Sequence, residues 1–111
     1  MDNPSPFPYQ GPPQLQQPVV DALMRVVDPE VALSIVDVGL VFGVTVGGDT
    51  AHVRMTMTTA ACPVTDVIVE EVEHELGSVL PAGCAVEVEL CWEPPWTPDM
   101  MSARARRFMG W

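Results

Sequence analysis

Cys62 stands directly before Pro63, where an alternating apolar pattern gives way to a helical one, in the stretch Thr58-Thr59-Ala60-Ala61-Cys62-Pro63. Proline is tolerated at the first helical position because its missing N–H would have had no intrahelical acceptor there. Cys62 is then the expected helix cap. Its sulfur would face unpaired backbone donors and the positive end of a helix dipole, which favour the thiolate over the thiol. That environment suits metal or sulfur chemistry, and the plainer alternative is a buried cysteine that fills space.

Asp28-Pro29-Glu30 offers two carboxylates two residues apart on a turn, able to converge on a hard cation or to serve as acid and base. Asp-Pro turns also serve as plain helix stops. Asp37, just before Gly39, fits the ordinary role of a turn's hydrogen-bond acceptor. Glu71 and His74 form one Glu-x-x-His, whereas a carboxylate di-iron site needs two such motifs and two further glutamates from a four-helix bundle. His74 fits better as the partner of Glu70 or Glu71 on a solvated face. His52 is a poor base for Cys62, lying about six residues, or roughly 20 Å of extended backbone, before Thr58. Cys84 and Cys91 read as small fillers, and no Gly-rich phosphate loop, hydrolase elbow or dinucleotide fingerprint occurs.

These groups must be carried by one modest core, since 111 residues with 48% hydrophobic content suffice for a single domain and not for two. The apolar runs fall short of a membrane span and the N-terminus has no signal-peptide pattern, so a cytoplasmic protein is expected. Fifteen acidic residues against five arginines and no lysine give a net charge of −10. Such a surface repels nucleic acid and anionic membranes, so neither is an expected partner. Three cysteines with no C-x-x-C pair argue against a disulfide framework and against a closed four-thiolate site within one chain.

Residues 1–18 hold half of all prolines and read as an extended or disordered Pro-rich arm, leaving 19–111 as the domain. Val19, Leu23, Val26 and Val27 follow helical spacing, predicting a first helix from about Pro18 to Val27. Leu40, Phe42, Val44 and Val46 alternate with their neighbours, Gly47-Gly48-Asp49 supplies a turn, and Val53, Met55 and Met57 alternate beyond it. That is a β-hairpin. Val64, Val67, Ile68, Val72, Leu76 and Val79 make a helical stripe after Cys62, with Glu70, Glu73 and His74 opposite and Gly77 fraying the end. A third strand from Ala85 to Trp92 points Val86, Val88 and Leu90 inward, parallel to the second by the right-handed crossover rule. Trp92 and Trp96 flank Pro94-Pro95 in an ordered loop, with packing into the core as the favoured role of the tryptophans, and Ser102 is placed to cap a final short helix through Arg107 or Phe108. The architecture is α+β: helix, hairpin, helix, strand, with helices on one face of a three- or four-stranded mixed sheet.

The segments Val27-Asp28-Pro29-Glu30, Ile35 to Val44, Met55 to Pro63 and Trp92 to Ser102, in that order, closely resemble the metal-sulfur cluster assembly family that includes PaaD-like and SufT-like proteins. The resemblance spans about residues 18 to 111. It implies an iron-sulfur assembly-type fold and a role in maturing iron-sulfur proteins, without an enzymatic activity of its own. It places the family's reactive cysteine on Cys62 and its neighbouring acidic and threonine positions on Asp28, Glu30, Thr58 and Thr59, with no role for Cys84 or Cys91. Val31-Ala32 departs from the more usual Leu-Gly after the acidic motif.

On this reading Cys62, Asp28 and Glu30 contact metal, while Thr58 and Thr59 hydrogen-bond near sulfur. A stable four-iron cluster takes four cysteine ligands and this site offers one, so iron or cluster would be held transiently while a second subunit, a carrier or scaffold protein, or an apo-client supplies the rest. A homodimer fits that count. The competing reading is a metal-free adaptor that recognises an apo-client or oxygenase subunit through the Trp96 to Trp111 surface.

Overall fold

The computed structural model describes residues 6–58 and 62–110, and of Cys62 and Pro63 the backbone alone. Its elements run β1 (Tyr9–Gln10), α1 (Pro13–Met24), β2 (Val27–Asp28), β3 (Leu33–Ser34), α2 (Ile35–Val38), β4 (Val41–Gly47), β5 (Thr50–Met55), α3 (Cys62–Gly77), β6 (Ala85–Leu90), a 3-10 turn (Pro98–Met100) and α4 (Ala103–Met109). The main sheet has the order β1-β4-β5-β6, and β2 and β3 form a separate two-stranded ribbon. β4 and β5 are antiparallel, while β1 runs parallel to β4 and β6 parallel to β5. This is the mixed sheet of an α+β fold.

The hairpin forms where the turn residues place it: Gly48 takes φ of 58°, and Gly47 pairs with Thr50 across a two-residue loop. Beyond it Ala51, Val53 and Met55 are fully buried, and Ile68, Val72 and Leu76 of α3 close over them. α3 packs on α1, on β6 and on β2. An ion pair from Arg25 Nε to Glu75 Oε1 at 2.6 Å ties the end of α1 to α3. The alternation of β6 holds as expected, with Val86, Val88 and Leu90 turned toward the core.

Several boundaries differ from the sequence expectation. The Pro-rich arm is packed structure from Phe7 onward: Phe7 is buried, Tyr9 and Gln10 pair with Val44 and Thr45, and α1 begins at Pro13 and passes through Pro18. Proline opens a helix readily, so Pro18 looked like a start. The earlier start is held by Tyr9, whose hydroxyl donates to the Pro12 carbonyl at 2.7 Å, and by the edge pairing of β1. Residues 1–5 lie outside the described part of that arm. In β4 a bulge at Phe42 breaks the expected alternation, burying Val41 beside Leu40, Val44 and Val46 and leaving Phe42 half-buried. Val67, expected in the stripe of α3, is 48% exposed.

The C-terminal segment is an integral layer. Trp96 donates its indole N–H to the Val38 carbonyl at 2.8 Å and packs against the core, whereas Trp92 is exposed. Ser102 caps α4 as expected, accepting from Ala105 N at 3.1 Å, and Met101 is buried. Asp37 holds this segment, accepting from Ser102 Oγ at 3.0 Å and from Arg104 Nη2 at 2.8 Å. Gly39, at φ of 87°, closes α2 where a Cβ would run into the Met100 carbonyl.

Candidate functional site

Asp28 is the most constrained of the sequence-derived candidates. It ends β2 and pairs in register with Leu33, so the four residues between them form a tight loop. Its Oδ1 accepts the backbone N–H of Glu30 at 2.9 Å, and its carbonyl accepts from Val31 and Ala32 at 3.3 and 2.8 Å. Asp28 is 1% exposed and its Oδ2 has no hydrogen-bond partner among the described residues. A buried carboxylate oxygen without a donor costs on the order of 1–3 kcal/mol, which makes this one a candidate contact for a ligand.

Ala32 closes the same loop with φ of 59°, a left-handed conformation that a side chain with a Cβ adopts at a cost. This is the position where the related pattern has glycine. The departure noted in the sequence is therefore a strained residue in the wall of the acidic loop, four residues from Asp28.

Glu30 and Thr58, 28 residues apart in sequence, meet here. Thr58 Oγ1 donates to Glu30 Oε1 at 3.5 Å, a long contact between an exposed carboxylate and the segment that follows β5. That segment leads to α3, which starts at Cys62 and packs against β2. The backbone thus makes Cys62 the first residue of the helix, one position inside the expected cap, on the element packed against β2. Thr59 and the side chain of Cys62 lie outside the described residues.

Thr56 was not singled out by the sequence. It is 1% exposed, its N–H donates to the Leu40 carbonyl at 2.7 Å, and its Oγ1 has no hydrogen-bond partner among the described residues. A threonine between Met55 and Met57 at a strand end gives no sequence signal of burial, because β-strand patterning treats it as the solvent side.

His52 Nε2 pairs with Glu89 Oε1 at 2.8 Å on the polar side of the sheet, and His74 is exposed on α3. Cys84 packs against the core beside a hollow of about 420 Å³ at the Gly48-Asp49 turn, a hollow none of whose lining residues belongs to the acidic loop. Cys91 Sγ approaches Glu89 at 3.9 Å. Among the described residues no three His, Cys, Asp or Glu side chains converge as a metal-binding set, and no helix is long and apolar enough to cross a membrane.

Comparison with known proteins bears on the family. Residues 16–90 match the family model described as iron-sulfur cluster assembly protein. The chain is 41% identical over 97 residues to the Fe-S protein maturation auxiliary factor YitW of Bacillus subtilis, covering 86% of this chain and 94% of that one. It is 40% identical over 86 residues to the maturation auxiliary factor SufT of Staphylococcus aureus, covering 77% and 97%. A crystal structure of a domain of unknown function from Bacillus anthracis superposes with a TM-score of 0.79 at 35% identity, covering 87% of this chain and 92% of that one. With a family model spanning well over half its length and near full-length relatives at this identity, the chain belongs to the iron-sulfur cluster assembly protein family.

Proposed function

We propose that this protein serves the maturation of iron-sulfur proteins by holding iron or a cluster transiently and passing it to a client, without catalytic turnover of its own. The observation that carries this reading is the buried, unpartnered Asp28 Oδ2 in a loop beside the helix that Cys62 opens. The relatives named as maturation auxiliary factors support the same reading.

Iron or cluster is the cargo. Cys62 would supply one thiolate, favoured by the helix start, and Asp28 and Glu30 hard oxygen contacts. Thr58 and Thr59 would donate hydrogen bonds near sulfur, the Thr58 hydroxyl turning from Glu30, which it meets in the unloaded protein, once that carboxylate contacts the metal. One thiolate per chain is too few to retain a cluster, so the remaining ligands come from a carrier, a scaffold, the apo-client or a second copy. Release is then ligand exchange, as client thiolates replace the transient contacts.

The test is anaerobic iron and sulfide analysis of wild type, Cys62→Ala and Cys84→Ala, each followed by transfer to an apo-acceptor. Loss of transfer with Cys62→Ala alone is the expected result. Full client maturation by a folded Cys62→Ala protein would overturn this reading and favour an adaptor that carries no metal.

A further inference from the structure

Charge on this chain is segregated. Three of its five arginines, Arg104, Arg106 and Arg107, lie on α4, which has no acidic residue, although the whole protein carries a net charge of −10. Arg104 is engaged by Asp37, while Arg106 and Arg107 are exposed with no ion-pair partner among the described residues. Beside them Phe108 is 67% exposed. A cationic helix with an uncovered aromatic ring on a strongly acidic protein is the signature of a contact surface.

Its complement is on the same chain. Val67 of α3 is 48% exposed, with exposed Glu70 and Glu71 beside it at i+3 and i+4. Val27 of β2, the ribbon strand against which α3 packs, is also 48% exposed. One surface is therefore aromatic with arginines around it, and the other is aliphatic with carboxylates around it.

We propose that two copies of this chain associate about a two-fold axis, with α4 of each lying on α3 of the other, Phe108 against Val67 and Arg106 and Arg107 against the carboxylates. A seven-residue helix alone buries less than the roughly 800 Å² per partner of a stable interface, and making the contact twice about one axis doubles that area. Repulsion between two acidic bodies is screened beyond about 8 Å at physiological salt, whereas the paired charges act within that distance. The proposal concerns association alone and stands or falls separately from the metal chemistry.

Sedimentation velocity of the full chain across a concentration series tests it, with a reversible monomer–dimer equilibrium as the expected result. Phe108→Ala should weaken dimerisation by about tenfold or more. The decisive arm uses two charge-reversed chains, one with Arg106→Glu and Arg107→Glu, the other with Glu70→Arg and Glu71→Arg. Each alone places like charges at both contacts and should be monomeric. Mixed, they restore opposite charges at both contacts and should form a heterodimer. All four positions are exposed, and circular dichroism checks that the variants fold. A wild type that stays monomeric, an open series of higher oligomers, or a mixture that stays monomeric would each overturn the two-fold arrangement. In the first case, binding of α4 to a Glu-rich peptide would assign the surface to an acidic partner instead.

Discussion

Asp28 combines two demands that pull apart. Its Oδ1 shapes the loop by accepting from Glu30 N, while its Oδ2 is buried without a partner. Asp28→Asn keeps the loop acceptor and removes a buried carboxyl, so the apo-protein should unfold at the same or a higher urea concentration while ferrous binding falls by at least about tenfold. Parallel urea melts and anaerobic iron titration check both halves, and unchanged iron binding would remove Asp28 from the proposed ligand set. Ala32, in the same loop, separates strain from chemistry. A left-handed conformation costs an L residue about 1–2 kcal/mol, and glycine gives back about 0.4–1 through the unfolded chain, so Ala32→Gly should gain up to about 1.5 kcal/mol of stability. A loss of stability in the urea melt would mean that the positive φ is not what governs this position.

At the scale of elements, β1 makes a prediction that depends on pH. Burial raises the pKa of the Tyr9 phenol above its ordinary value of 10.0, and the neutral phenol donates to the Pro12 carbonyl. A raised folded-state pKa means that the folded state binds the proton more tightly than the unfolded one, so this contribution is full below about pH 10 and is lost as pH rises through the folded value. Tyr9 is the only tyrosine, so phenolate absorbance reports it directly. It should titrate above 10 in the native protein and return to the ordinary range in denaturant, and an ordinary native titration would mean that β1 does not hold the ring against the fold. The same strand shows where sequence legibility ran out. Local signals were enough for the hairpin, α3, β6 and the Ser102 cap, because turn glycines, a Pro-opened helix and apolar period report themselves within a few residues. The packing of residues 6–18 and the bulge at Phe42 were not legible, since both arise from pairing with distant strands. Of the candidate site, Asp28 and Glu30 were singled out by residue type and spacing and Thr58 by the family resemblance, whereas the burial of Thr56 and the strain at Ala32 needed coordinates.

The whole molecule extends past the segment its family model matches. That match ends at residue 90, yet the residues beyond it close the fold: Cys91 N donates to the Met55 carbonyl, Trp96 to Val38, and Ser102 and Arg104 engage Asp37 over the floor made by Gly39. Met101 and Ala105 are buried there. Asp37 belongs to α2, which follows directly on the β2–β3 ribbon that carries Asp28 and packs against β2, so the C-terminal layer is joined to the acidic loop through α2. Burial of a large apolar side chain is worth about 1.5–3 kcal/mol, and Met101 with the half-buried Trp96 therefore accounts for roughly 3–5 kcal/mol of a total near 5–15. A chain ending at Leu90 should lose about that much, seen as a large fall in urea midpoint, and should bind iron more weakly even where it remains folded. Asp37→Ala, which leaves the core intact, should reproduce a smaller part of both effects, about 1–2 kcal/mol of stability together with weaker iron binding. An unchanged midpoint in the shortened chain would show that the layer rests on the domain without supporting it.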